Sequence, residues 1–126
     1  MDDAVQQALA SDRNVDITTT GRKSGQPRRI EIWHHLVDGA VYITGLPGKR
    51  SWYANVVANP DITFHLKESV QRDFSARAVA ITDEAARREI FAKMKAAEGR
   101  LGHLDVERWV AESPLIRIDF QAQGEG

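Results

Sequence analysis

The sequence has no cysteine, which excludes disulfides, thiolate metal sites and a thiol nucleophile. A chain without cysteine suits a reducing compartment, and we expect a cytoplasmic protein. No apolar run approaches the roughly 20 residues of a membrane-spanning helix. The acidic start, MDDAVQQALASD, is unlike a secretion signal. We therefore expect one globular domain over residues 1–126, with no integral membrane segment.

The composition that is present is typical of a folded domain, with 42% hydrophobic and 28% charged residues. Alternating and β-branched stretches predict about six strands. They lie at residues 14–20, 28–37, 40–45, 61–67, 72–82 and 114–122. Helices are predicted near residues 2–11, 51–60, 83–99 and 105–111. Strands joined by short turns favour a mainly β (α+β) fold, with an antiparallel sheet closed into a small barrel.

Positive charge is concentrated in one turn, TTTGRKSGQPRRIEIW, at residues 18–33. The eight residues from Arg22 to Arg29 hold four cations and no acid, whereas the chain as a whole has a net charge of −1. Three interpretations are open: a solvated turn, a nucleic-acid surface, or a site for a phosphorylated small molecule. Nucleic acid is disfavoured, because it needs a basic face over several phosphates and the rest of the chain is acidic. The spacing is also not that of a P-loop, and no helix follows.

The motifs around the turn follow one another in an order that is typical of a known protein family. The TTTGRKSG-x-PR stretch is followed by a strand, a DG hairpin, a Gly-Lys-Arg loop, an SWY helix start and ANP. This arrangement resembles the deazaflavin-dependent nitroreductase family, whose members are split-barrel reductases that use coenzyme F420. The resemblance implies that the turn binds the phosphate of the coenzyme. The residues to which it assigns this role are Arg22, Lys23, Ser24, Gly25 and Arg28.

The resemblance also implies where the rest of the coenzyme lies. The strand after the turn would run along the ring, at Ile30, Glu31 and Ile32. The next loop and the helix after it would close over the other edge of the ring. The residues assigned there are Thr44, Gly45, Lys49, Arg50, Ser51 and Trp52, whereas Asn55 of the same helix would lie near the phosphate. A helix N-terminus favours an anion on physical grounds as well.

The candidate catalytic residues are His34, His35 and Tyr53. The two histidines stand where this chain departs from the family pattern, and imidazole can donate a proton near neutral pH. On one strand they would face opposite sides, so we expect no metal site. No catalytic triad or carboxylate pair is recognisable, as hydride transfer from a deazaflavin would allow.

The predicted function is an F420H2-dependent oxidoreductase that passes hydride to a small organic acceptor, such as a quinone, a nitroaromatic or an enone. One alternative keeps the fold and replaces F420 with FMN. Another is a non-catalytic carrier that binds a deazaflavin, a flavin or a tetrapyrrole. The edge strands of an open barrel need cover, so we expect a homodimer.

Overall fold

The computed structural model describes residues 2–45 and 51–121. Four α-helices, one short 3₁₀ helix and seven strands follow one another along the chain. In order they are α1 Asp3–Ser11, β1 Asn14–Thr20, β2 Pro27–Trp33, β3 His35–Val37, β4 Ala40–Thr44, α2 Ser51–Ala58, β5 Asp61–Leu66, β6 Arg72–Ala80, α3 Glu84–Ala97, the 3₁₀ turn Gly99–Leu101, α4 Val106–Glu112 and β7 Leu115–Phe120.

All seven strands belong to one sheet in the order β2-β1-β5-β6-β7-β4-β3, and the paired strands are antiparallel. The two edge strands, β2 and β3, are consecutive in the chain with only His34 between them. A single residue cannot bridge the width of a flat sheet, so the sheet must curl until its edges approach each other. The predicted antiparallel split barrel is therefore confirmed.

The predicted strand over residues 28–37 is wrong as one continuous element. The chain changes partners at His34: β2 pairs with β1, whereas β3 pairs with β4. The backbone N–H of His34 donates to the Arg13 carbonyl at 3.3 Å. His34 and His35 are both buried at this break, with different neighbours: the His34 ring contacts the Phe64 ring of the main core, whereas His35 bonds Glu98 just after α3. The sheet consequently has seven strands instead of about six.

Local signals fix several other elements as predicted. The Asp2 carboxylate caps α1 by accepting from the Val5 N–H at 2.9 Å, and Asp83 caps α3 in the same way. Asp38 and Gly39 have positive φ values of 51° and 80°, as a type I′ hairpin turn requires at both of its central residues. The main core fills the inside of the curl and includes Ile17 and Phe64, which are fully buried.

Candidate functional site

The basic turn is a hairpin connection between β1 and β2 that is closed by backbone hydrogen bonds. The N–H of Gly21 donates to the Gln26 carbonyl at 2.8 Å, and the N–H of Gly25 donates to the Gly21 carbonyl at 2.9 Å. Gly25 has a φ of 70°, a conformation that favours glycine. A Cβ at Gly21 would lie 2.6 Å from Ser24 Oγ, so a side chain there would push this hydroxyl away from the Gln26 N–H that donates to it at 3.1 Å. The sequence therefore builds a turn of one defined shape.

Asn55 holds this turn against helix α2. Its side-chain oxygen accepts from the backbone N–H and from Nη1 of Arg22, at 3.1 and 3.2 Å. Its amide nitrogen donates to Thr19 Oγ1 at 3.3 Å. Asn55 is only 5% exposed, so these partners replace water for its polar atoms. The structure thus gives Asn55 a positioning role between α2 and the turn.

A cleft of about 360 Å³ opens between the turn, β2 and the start of α2. This volume lies within the range of small-molecule sites. Its lining consists of Thr19, Gly21, Arg22, Lys23, Ser24, Arg28, Ile30, Ser51, Trp52 and Asn55. Eight of these ten residues were predicted as coenzyme-binding from the sequence. The cleft therefore gathers residues from three separate elements into one place.

Two lining residues, Thr19 and Gly21, were not predicted. The alternation along β1 could have indicated Thr19, because it shares the buried face with Val15 and Ile17. Gly21 is recognisable only from the closed shape of the turn, which the sequence does not show.

The cleft carries positive charge without a compensating acid. Arg22, Lys23 and Arg28 are all exposed. Among the described residues, no carboxylate lies within ion-pair distance of any of the three. The N-terminal turn of α2 reaches the same cleft through Ser51 and Trp52, and a helix N-terminus adds partial positive charge. The site is thus suited to an anionic ligand.

Arg29, the fourth cation of the stretch, is used differently. Its Nε lies 2.9 Å from Asp16 Oδ2 on the other face of the hairpin. Lys67 Nζ lies 2.7 Å from Asp16 Oδ1 and also pairs with Glu31. Burial opposes ionisation of Asp16, but hydrogen bonds from Lys67 and Arg29 lower the pKa of its carboxyl below the usual 3.8. We call Asp16, Arg29, Glu31 and Lys67 the outer charge network.

Several predicted coenzyme-binding residues lie outside the lining of the cleft. The side chain of Glu31 belongs to the outer charge network, and Ile32 packs against the core. Thr44 Oγ1 bonds Ser113 Oγ at 2.8 Å, and the N–H of Gly45 donates to the same oxygen at 3.1 Å. Gly25 shapes the turn without lining the cleft, and Lys49 and Arg50 fall outside the described residues.

The predicted catalytic residues do not share one cavity. His34 and His35 line a separate cavity of about 370 Å³ beside α1 and the end of α3. His34 Nε2 bonds the Leu9 carbonyl at 2.7 Å, and His35 Nδ1 bonds Glu98 Oε2 at 2.6 Å. The structure therefore does not bring either histidine to the basic cleft.

Tyr53 lies closer to the cleft. Its ring makes an edge contact with the ring of Trp52, which lines the cleft, at a centroid distance of 5.9 Å. Tyr53 itself lines a third cavity of about 310 Å³ together with the buried Arg87. Arg87 donates to the backbone carbonyls of Val110, Ile81 and Trp109, and burial lowers its pKa. The start of α2 thus separates two neighbouring cavities.

Comparison with known protein families identifies the family to which this chain belongs. The sequence model of the F420H(2)-dependent quinone reductases matches residues 4–102. The chain belongs to this family. The match covers the turn, the cleft and α3, so the resemblance carried by the TTTGRKSG-x-PR stretch is confirmed.

Solved structures share the fold at low identity. A conserved hypothetical protein from Mycobacterium tuberculosis has a TM-score of 0.72 at 18% identity, over 97% of this chain and 82% of that chain. A heme storage protein from Vibrio cholerae has a TM-score of 0.71 at 11% identity, over 94% of this chain and 89% of its own. An F420 reductase has a TM-score of 0.62 at 18% identity, over 93% of both chains. These similarities show the split-barrel fold alone.

Among the described residues, none of the helices combines the length and the apolarity that are needed to cross a membrane.

Proposed function

We propose that this protein is a reductase that binds F420H2 in the basic cleft and delivers its hydride to a small electrophilic acceptor. The observation that carries the proposal is the set of three cations, Arg22, Lys23 and Arg28, which line the cleft without an acidic partner among the described residues. When bound, the coenzyme supplies the hydride. The protein supplies binding, orientation and exclusion of water.

The donor set of the cleft fits an elongated anion. Arginine offers forked donors and lysine a point charge, and both types are present on the turn and on β2. Gly21 keeps the backbone beside Ser24 free of a side chain, so the turn can keep its closed shape around a bound oxyanion. Ile30 and Trp52 add apolar surface for a ring system. A row of charges next to an apolar wall suits F420 better than a compact phosphate monoester such as that of FMN.

We propose that the acceptor binds near Tyr53. Tyr53 contacts Trp52, whereas His34 and His35 line a different cavity beside α1. The phenol group of Tyr53 can donate a hydrogen bond to an acceptor oxygen that gains negative charge during reduction. The acceptor classes remain quinones, nitroaromatics and enones.

The test is turnover of F420H2 with menadione, a nitroaromatic and an enone, followed by the loss of the reduced coenzyme. We expect oxidation that depends on both protein and acceptor. Tyr53→Phe should lower kcat and leave F420 affinity nearly unchanged, while His34→Gln and His35→Gln serve as comparison variants. Tight F420 binding without turnover of any acceptor would instead support the non-catalytic carrier. A lower kcat in the histidine variants alone would indicate that the acceptor binds in the cavity lined by His34 and His35.

A homodimer is our proposal for the assembly. β2 is an edge strand, and Trp33 near its end is 48% exposed, which is high for a large aromatic side chain. Light scattering of the purified protein should give the mass of two chains. A mass of one chain at micromolar concentration would contradict the proposal.

A further inference from the structure

Three polar side chains form a hydrogen-bonded line on the outer face of the sheet. Asp73 Oδ1 lies 2.7 Å from His65 Nδ1, and His65 Nε2 lies 2.7 Å from Thr18 Oγ1. They come from three neighbouring strands, β6, β5 and β1, whose order in the sheet brings them side by side. A carboxylate, an imidazole and a hydroxyl connected in this order are the groups of a nucleophilic catalytic triad.

The chemistry of the three groups determines which one donates and which one accepts in each hydrogen bond. An ionised Asp73 only accepts hydrogen bonds, so the proton of a neutral His65 ring resides on Nδ1. Nε2 then has a free lone pair, and the Thr18 hydroxyl must be the donor to it. His65 is only 5% exposed, so the ring is held in this orientation by its surroundings. The imidazole is therefore placed to take the hydroxyl proton of Thr18.

A polar cavity of about 380 Å³ lies beside Thr18. The strand register places Thr63 directly opposite Thr18, and Ser75 directly opposite Thr63. Both residues line the cavity, and within the described part of the chain their hydroxyl groups have no hydrogen-bond partner. Residues directly opposite on paired strands have Cβ atoms about 4.5–5.5 Å apart. The Thr63 hydroxyl is thus close enough to donate to an oxygen that develops negative charge next to Thr18.

We propose that Thr18, His65 and Asp73 form an acyl-transfer site for small, polar carboxylic esters. Thr18 Oγ1 bonds to the ester carbonyl carbon while His65 Nε2 takes the hydroxyl proton. The bond from this carbon to the alcohol oxygen then breaks, and His65 returns the proton to the leaving oxygen. Water removes the acyl group from Thr18 in the same way. The net reaction converts ester and water into acid and alcohol, and it needs no oxidant or reductant.

The proposed site is independent of the basic cleft. Thr18 faces the outer cavity, whereas the next residue, Thr19, is 2% exposed and lines the cleft. Successive side chains of a strand point to opposite faces of the sheet. Variants of the outer site can therefore be checked for correct folding by their F420 affinity and melting temperature.

The test mixes the full chain with 4-nitrophenyl acetate, follows release of nitrophenol and locates the acetyl group by peptide mass spectrometry. We expect release above the rate in protein-free buffer and acetylation of Thr18. Thr18→Val preserves the shape but removes the hydroxyl, so acetylation at this position should disappear. His65→Gln should slow release by about 100-fold or more, since general base catalysis contributes on that order. Asp73→Asn should slow release less, because the Asp73 side chain is 69% exposed.

Thr18→Ser keeps a hydroxyl at the same place and should retain the reaction. Comparison with Thr18→Val therefore separates loss of the nucleophile from a folding defect. Acetyl groups found only on lysines or the amino terminus would overturn the proposal. Release by Thr18→Val at the parental rate would overturn it as well.

Discussion

The two faces of the β1–β2 hairpin differ in the partners of their cations: on one face arginine is paired with a carboxylate, and on the other it lines the cleft. Arg28 and Arg29 are adjacent in sequence and both exposed. Arg29 is paired with Asp16 at 2.9 Å in the outer charge network, whereas Arg28 lines the cleft. The composition of the stretch cannot distinguish them, but the alternation of side chains along the strand does. The position of Arg28 in the cleft and the pairing of Arg29 with Asp16 are the reasons for proposing a binding role for Arg28 alone.

The energetic consequences of the two faces also differ. Exposed ion pairs contribute little to stability, typically about 0.2–1 kcal/mol each. The Arg29 side chain is 54% exposed, so its ion pair with Asp16 should contribute only a small amount to stability. The cleft concentrates like charges that repel one another, and an anionic ligand would relieve this repulsion. Variants of the two faces should consequently separate binding from stability.

The largest effect is expected from removing two cations of the cleft together. A hydrogen bond to a charged group is worth roughly 1.5–3 kcal/mol, and 1.4 kcal/mol is a tenfold change in affinity. Lys23→Ala combined with Arg28→Ala should therefore weaken F420 binding by about 100-fold or more, measured by fluorescence titration. Arg29→Ala is the matched control and should change the dissociation constant by less than about twofold. Equal losses in both variants would remove the distinction between the faces.

Replacing Asn55 should affect both stability and binding, because its side chain connects the turn to α2. Asn55→Ala removes the hydrogen bonds to Arg22 and to the buried Thr19, and a hydrogen bond contributes about 0.5–1.5 kcal/mol to stability. We expect a lower free energy of unfolding in urea and weaker F420 binding. Asn59→Ala is the control, since Asn59 only reaches the Thr20 carbonyl at 3.5 Å. If Asn55→Ala alters neither quantity, the turn is held by its own backbone bonds.

Salt should weaken F420 binding by a moderate factor. The screening length falls from about 10 Å at 0.1 M to about 3 Å at 1 M ionic strength. Raising sodium chloride over this range should increase the dissociation constant several-fold in the parental protein and less in the Lys23→Ala, Arg28→Ala variant. An identical salt dependence in both proteins would place the electrostatic attraction outside the cleft.

The smallest effect concerns pH and the outer charge network. The pKa of Asp16 is lowered in the folded protein by its hydrogen bonds with Lys67 and Arg29, against the opposing effect of burial. A carboxyl with a lowered folded pKa stabilises the fold above its unfolded value, 3.8, and this contribution is lost as pH falls through the folded value. Asp16→Asn should therefore melt a few degrees lower at pH 6, and the difference should shrink as pH falls below about 3.8. A difference that is constant across this range would assign the effect to packing.

Local signals made much of the fold predictable. The caps at Asp2 and Asp83, the Asp38-Gly39 hairpin and the alternation of β1 each depend on a few neighbouring residues. The break at His34 was not predictable in this way. It arises because β2 and β3 pair with different strands, and no residue in the stretch signals that change.

The candidate site was predictable to a similar extent. The basic turn and the start of α2 were found because their residues recur together in a known family. The alternation of β2 could have separated Arg28 and Ile30, which line the cleft, from Glu31, which faces the outer charge network. The role of Asn55 in joining α2 to Arg22 required the structure, since the two residues are 33 positions apart.

The most direct test of the account is a titration of the purified protein with F420 and, separately, with FMN, followed by tryptophan fluorescence. Trp52 lines the cleft, so a ligand bound there should quench its emission. We expect saturable binding of F420 that is clearly tighter than binding of FMN, and that is lost in the Lys23→Ala, Arg28→Ala variant. FMN binding as tightly as F420 or more tightly, or F420 binding that survives the double substitution, would contradict it.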